Sequence, residues 1–168
     1  ELPPVPAEIA REVGALRRVI RELATGEQNE ELEQGGRLDR IGGHSDSYDI
    51  DDYPLAPDAL SKLMEKIVQH VDASSSLPDE RTLDVETRRD AIIVHSCHGS
   101  RINETLAHFL QAMASTIQGK MGRVLVDPYR ISLQVPGLKA THVVEWLTET
   151  KPENLATILR VTIPNGRQ

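Results

Sequence analysis

The sequence contains few residues that could cross-link the chain, anchor it in a membrane or build an aromatic core. Its 168 residues include one cysteine, one tryptophan and one phenylalanine. A single cysteine excludes an internal disulfide, and no apolar run approaches the roughly 20 residues that a membrane-spanning helix needs. A signal-peptide pattern is also absent. We therefore expect a soluble, cytoplasmic protein that makes no contact with a membrane.

An excess of positive charge is also missing. Lys and Arg total 19 against 26 Asp and Glu, which gives a formal net charge of -7. Because Lys and Arg neutralise phosphates and supply most of the non-specific affinity for nucleic acid, this balance excludes a generally basic nucleic-acid binder. Any face that binds nucleic acid must therefore be local.

The chain has no phosphate-binding loop of the form G-x-x-x-x-G-K-[ST], and the glycines at 119 and 122 around Lys120 are only a superficial echo of it. Such a loop holds the phosphates of ATP through its backbone amides and its lysine. We therefore expect that this chain binds no cofactor and hydrolyses no ATP by itself. It opens with Glu1 rather than Met, and we interpret it as a piece of a longer protein.

Hydrophobic periodicity predicts five helices and two β-hairpins. Apolar residues at spacings of three and four indicate amphipathic helices, and alternation with polar residues indicates half-buried strands. The predicted helices cover about Ala7–Leu23, Pro57–Val71, Asn103–Gln118, Ala140–Thr148 and Pro152–Arg160, the last opened by a capping box from Thr150 to Glu153. The predicted hairpins pair Leu83 and Val85 with Ala91–Val94, and Val124 and Val126 with Ile131–Val135.

The segment from Glu27 to Asp51 differs from the rest of the chain. It holds an acidic run, two glycine pairs and few apolar residues, which bury too little surface to offset the entropy of ordering. We predict a mobile polar insertion at 27–51, between an N-terminal helix within 1–26 and an α+β core at 52–168. All three parts are expected to form a single domain.

The order of the predicted elements favours the α+β class. The two hairpins are expected to form a mostly antiparallel sheet, which a central amphipathic helix at 103–118 covers, with flanking helices at both ends. Phe109 lies on the apolar face of that helix and is the predicted centre of the core.

The stretch from Ile92 to Leu110 carries the chemistry of a polar recognition site. An apolar strand that ends at Val94 runs into the polar cluster His95–Arg101, just before the predicted helix start at Asn103. The first amides of a helix lack internal partners and lie at the positive end of its dipole. We therefore predict that this turn can hold an anion, such as a nucleic-acid phosphate.

A nucleic-acid-binding face is predicted at this turn, provided that the sheet brings the second hairpin close to it. Arg and Asn contact phosphates and sugars, and Tyr stacks on unpaired bases. The alternative is that Arg101 and Asn103 only cap the helix and pair with Glu104 or Asp127. The candidate residues are Ser100, Arg101 and Asn103 from the turn and Arg123, Tyr129 and Arg130 from the second hairpin.

Other chemistry in this stretch has simpler explanations. His95, Cys97 and His98 are of metal-ligating type, but a second ligand pair at zinc-site spacing is missing. Cys97 near a helix start could be an activated thiol, yet the usual sequence around a cysteine nucleophile is absent. Glu104 and Asp127 suit a helix start and a turn. We predict no catalytic residue and no metal site, with a small hydrolase or metalloenzyme using His95, Cys97 and His98 as an alternative.

Several motifs resemble a known family. HSCHGSRINETLAHFLQAMAS at His95–Ser115 and VDPYRISLQV at Val126–Val135 are similar to the region after the winged helix in the Lhr (large helicase-related) ATP-dependent helicases of superfamily 2. The opening ELPPVPAEIAREVGALRR, DYPLAPDAL at Asp52–Leu60 and LPDERTLDVE at Leu77–Glu86 resemble parts of the same region. The chain departs from the family at His98, where Phe is usual, and in the long polar segment at 27–51.

The resemblance implies a non-catalytic accessory domain of an ATP-dependent DNA helicase with a role in DNA repair. Such a domain would contact single-stranded DNA or an RNA:DNA hybrid and would pack against the upstream winged-helix and motor domains of the same chain. ATP and Mg²⁺ are then expected for the parent hydrolase only. The alternative is a protein-interaction module without direct nucleic-acid contact.

Overall fold

The computed structural model describes residues 3–25, 50, 53–74, 77–118 and 122–162. These residues form, in chain order, α1 (Ala7–Thr25), α2 (Pro57–Ser74), β1 (Asp84–Arg88), β2 (Ala91–His95), α3 (Ser100–Gln118), β3 (Arg123–Asp127), β4 (Arg130–Gln134), α4 (Ala140–Glu149) and α5 (Pro152–Thr162). The predicted insertion at 27–51 lies outside the described residues, apart from Ile50. Within the described part, none of the helices combines the length and apolarity needed to cross a membrane.

The four strands form one antiparallel sheet in the order β1-β2-β4-β3. β1 pairs with β2 and β3 with β4 across two-residue turns, while β2 and β4 join the two hairpins. In this central pairing Ile92 lies opposite Leu133, and His95 lies opposite Arg130. β1 and β3 are therefore the edge strands, and the predicted α+β fold with two hairpins in an antiparallel sheet is confirmed.

The main core lies between the sheet and α3. Alternate residues of a strand point to the same face of a sheet, and on the face covered by α3 these residues are buried. Phe109 is 2% exposed, as expected for the centre of the core. The buried side chains on this side are Ile92, Val94, Ala107, Phe109, Leu110, Ala114, Ile131, Leu133, Val135, Val143 and Trp146.

The chain divides into two compact units, Glu1–Gly14 with Pro78–Gln168 and Ala15–Leu77. The first unit contains the sheet and its core. In the second unit a smaller apolar cluster centres on the buried side chains of Ile20, Ile67 and Leu77. The sequence predicts a single domain with internal boundaries near residues 26 and 52. These boundaries differ from those of the two units, and the single domain stays a prediction.

The structure corrects one predicted helix start and one predicted helix cap. α3 begins at Ser100 rather than Asn103, because Gly99 turns the chain with a φ of 82°, a conformation that glycine adopts without a steric penalty. The predicted capping box is wrong, because Thr150 is the C-cap residue of α4. α5 begins at Pro152, and its first helical hydrogen bond runs to the C=O of Lys151.

Candidate nucleic-acid interface

The polar turn after β2 is hydrogen-bonded to the turn of the second hairpin. The N–H of Ser96 donates to the C=O of Tyr129 at 2.9 Å, and the N–H of Gly99 donates to the C=O of Pro128 at 3.1 Å. These two bonds bring the turn between β3 and β4 beside the start of α3. The turn of the second hairpin is therefore the part of that hairpin that lies next to the predicted site.

Asn103 joins the same two turns from inside the protein. Its Nδ2 donates to the C=O of Asp127 at 3.0 Å and to the C=O of Ser96 at 3.3 Å. Its Oδ1 accepts a hydrogen bond from the hydroxyl of Ser96 at 2.8 Å. Asn103 is 0% exposed, so its side chain has no surface to offer a nucleic acid. We therefore correct its role from direct contact to positioning of the two turns.

His98 extends this network to the surface. Its Nδ1 lies 2.9 Å from the Ser96 hydroxyl oxygen. Because that hydroxyl has one proton, which it gives to Asn103, the Nδ1 of His98 is the donor in this contact. Burial lowers the pKa of the His98 imidazole below its ordinary value of 6.5, and the positive charge of Arg11 lowers it further. The neutral ring is thus the form that the fold favours.

The first amide of α3 is satisfied by the chain itself. The N–H of Ser100 donates to the C=O of Val5 at 3.0 Å, and the Ser100 hydroxyl oxygen accepts the N–H of Val5 at 2.9 Å. A Cβ on Gly99 would lie 2.8 Å from the same Val5 oxygen, which excludes larger residues there. The amides of Ser100 and Gly99 are therefore not available to the predicted anion, since carbonyl groups already accept their hydrogen bonds, and the anion site at this turn stays a prediction.

Three arginines remain on the outside of this region. Arg101 and Arg130 are exposed, and Arg11 on α1 is also exposed and near enough to lower the pKa of His98. Arg130 is paired with Asp127, which reduces the charge it can offer. Among the described residues no acidic side chain pairs with the guanidinium of Arg11 or Arg101. We call these arginines together with the half-buried Tyr129 the turn surface.

Arg11 is not among the predicted site residues, and Arg123, which is, does not join the turn surface. Arg11 lies on the polar side of a helix far away in the sequence, so no local pattern signals its proximity to His98. Arg123 is exposed and lies at the other end of β3, opposite Gln134. With a rise of about 3.3 Å per residue, four steps separate it from Asp127 by about 13 Å.

The residues of metal-ligating type near the turn face different partners. Nε2 of His95 lies 3.2 Å from Glu86 Oε2 on the neighbouring strand, while His98 faces Ser96. Cys97 is 0% exposed and its thiol lies 3.7 Å from the C=O of Pro78. Within the described residues no group of three His, Cys, Asp or Glu side chains is placed to hold a metal ion. This geometry does not support a site that would use Cys97 as an exposed nucleophile.

The described residues around the turn surface belong to a small α+β domain. The family model described as DEAD/H associated matches residues 77–167, which is more than half of the chain. The chain belongs to this family, whose domain occurs in DEAD/H-box helicases. The matched region runs from just before β1 through α5 and includes both turns described above. No curated protein and no solved structure matches the chain.

Proposed function

We propose that this chain is the non-catalytic accessory domain of an Lhr-type ATP-dependent helicase, placed after its winged helix. Membership of the DEAD/H associated family carries the proposal, and the resemblance of the segments around His95–Ser115 and Val126–Val135 to the Lhr helicases supports the narrower assignment. The parent enzyme is a cytoplasmic helicase of DNA repair in this proposal. Its motor domains supply the site for ATP and Mg²⁺, and this chain's residues take part in no step of hydrolysis.

The turn surface is the proposed contact with the tracking strand, either single-stranded DNA or one strand of an RNA:DNA hybrid. Arg101 and Arg11 carry unneutralised charge within the described residues and supply the phosphate contacts. Tyr129 is half-buried, and its ring supplies an edge or a face to an unpaired base. Because the chain as a whole carries a charge of -7, binding depends on these few groups and weakens as salt rises, with a log-log slope of about −0.7 for each phosphate contact.

Fluorescence anisotropy of a labelled single-stranded oligonucleotide tests the strand contact. Arg101→Ala should weaken binding several-fold, and the log-log salt slope should fall by about 0.7, the value for one lost phosphate contact on a single strand. Arg89→Ala is the matched control, because Arg89 is also exposed but lies in the β1–β2 turn at the opposite end of the sheet. Equal losses for both variants would show that only overall charge matters.

Absence of binding at low salt would reject the strand contact and leave family membership intact. The chain would then be the protein-interaction module, which packs against the winged-helix and motor domains without touching nucleic acid. The exposed apolar side chains of Val144 on α4 and Leu125 on β3 are specific features that favour this second candidate.

A further inference from the structure

β3 has an outer edge that no described strand covers. It stands last in the sheet order, with β4 as its neighbour. Leu125 is 45% exposed and Val126 is 38% exposed, although both lie inside the strand. An exposed, apolar edge strand presents unpaired backbone groups and is a template for pairing with another chain.

The backbone groups at this free edge belong to Val124 and Val126. Asp127 and Arg130 pair across a two-residue turn, and the residues that close such a turn exchange their backbone hydrogen bonds with each other. Hydrogen-bonded and non-hydrogen-bonded pairs then alternate along the strands. Every second residue back from Asp127 therefore bonds to β4, and the two valines between them direct their N–H and C=O groups outward.

The sequence of β3, RVLVD, is complementary to itself when two copies run antiparallel. With Leu125 opposite Leu125 of a second copy, each Val124 lies opposite Val126, and each Arg123 lies opposite Asp127. The outward-facing valines become hydrogen-bonded pairs, and the opposite charges lie on one face of the sheet. We propose that the free edge of β3 binds β3 of a second copy of this chain in this register, which makes a two-fold symmetric dimer with a continuous sheet.

The carboxylate of Asp127 can accept the additional arginine. Its Oδ1 accepts the N–H of Tyr129 at 2.9 Å, and its Oδ2 accepts the Nε of Arg130. An ionised carboxylate has about four lone-pair sites, so Arg123 of the second copy adds a further donor. Asp127, Arg130 and Arg123 of the second copy thus form a cluster of three charged residues on the sheet surface, and one such cluster lies at each end of the shared edge.

A comparison of β3 with β1, the other edge strand, favours β3 as the strand that pairs with a second copy. β1, DVETR, has the same length and the same two-residue turn, and a symmetric pairing would place Asp84 opposite Arg88. Its central residue, however, is Glu86, which would lie opposite Glu86 of the second copy. Hydrogen bonds from Arg88 and then from His95 lower the pKa of this carboxyl below 4.5. It stays ionised at neutral pH, and like charges directly opposite destabilise a strand pair.

Five residues per copy make a small interface, well below the 1,200 to 2,000 Å² of a standard one. The dimer is therefore weak and its population rises with protein concentration. Sedimentation velocity across a concentration series should show this rise for the wild-type chain. Leu125→Glu should raise the dimer Kd about tenfold or more, because it gives β3 the central charge of β1.

Matched variants separate the strand pairing from a general effect of charge or exposed surface. Arg123→Lys should keep the association and Arg123→Glu should weaken it, since only the second places like charges opposite Asp127. Val144→Glu is the control for surface charge, because Val144 is also 45% exposed but lies on α4. Association that is lost equally in Val144→Glu, or a wild-type chain that stays monomeric throughout, overturns the proposal.

Cysteine cross-linking tests the register. Leu125→Cys places two thiols directly opposite each other at a Cα separation of about 4.5 Å, within the range that a disulfide spans. Arg123→Cys places its two thiols four residues out of line, about 13 Å apart. The native Cys97 is buried and does not compete. Oxidation should give covalent dimers for position 125 and not for 123, and equal yields at both positions would contradict the pairing.

Discussion

The two hairpins of the sheet have strands of equal length and turns of equal length, yet they differ at their turns. The turn of β1–β2, at Arg89 and Asp90, is exposed. The turn of β3–β4, at Pro128 and Tyr129, accepts hydrogen bonds from the segment that leads into α3. The strands pair in the same way in both hairpins. The hydrogen bonds at the β3–β4 turn make that turn part of the candidate interface.

The largest loss of stability is expected at Phe109, which is buried in the core beneath the sheet that both hairpins form. Phe109→Ala removes the buried aromatic between α3 and the sheet and should destabilise the domain by about 3 to 5 kcal/mol. Urea unfolding measures this change. Glu104→Ala, at an exposed position of the same helix, should stay within about 0.5 kcal/mol of the wild type. Equal urea midpoints for Phe109→Ala and the wild type would show that this side chain is not packed as described.

The core was predictable because its pattern is local. The spacing of apolar residues along α3 and the alternation in β2 and β4 are properties of neighbouring residues, so the position of Phe109 followed from the sequence. The turn was harder because its partners come from distant segments. The amide of Ser100 donates to Val5, and the side chain of Asn103 is buried between two carbonyl groups, so neither of these donors is open to a nucleic acid. The proximity of Arg11 to His98 likewise depends on tertiary structure alone.

A smaller loss of stability should separate the two hairpins. Asn103→Ala removes the amide that bonds the C=O groups of Ser96 and Asp127 and leaves buried polar atoms without their partner, at a cost of about 1 to 3 kcal/mol. Hydrogen exchange should accelerate at the amide of Gly99, which donates to the second turn, and should change little in β1. Asn154→Ala, at an exposed position of α5, is the control. Uniform acceleration over both hairpins would mean that Asn103 supports the whole sheet and not this turn.

The smallest change in stability is expected from the titration of His98, which is hydrogen-bonded to Ser96 in the network around Asn103. The folded protein holds the pKa of His98 below 6.5, mainly through burial and then through Arg11. Between the two pKa values the unfolded chain binds a proton that the folded chain does not, so stability is complete above pH 6.5 and declines as the pH falls toward the folded pKa. His98→Asn should remove this part of the decline, because the amide can replace the Nδ1 donor to Ser96 and does not titrate in this range.

The difference between wild type and variant isolates His98 from the other titrating groups. Thermal unfolding of both proteins from pH 7.5 to pH 5 should give melting temperatures that lie close together above pH 6.5 and separate as the pH falls, with the wild type the lower, since only the wild type carries the imidazole that gains a proton on unfolding. His108→Asn, at an exposed position of α3, should follow the wild-type curve. A constant difference in melting temperature between wild type and His98→Asn across the range would show that other contacts of the imidazole matter but that its protonation does not. The second turn would then be held by the geometry of the network alone, with no dependence on the charge of Arg11 beside it.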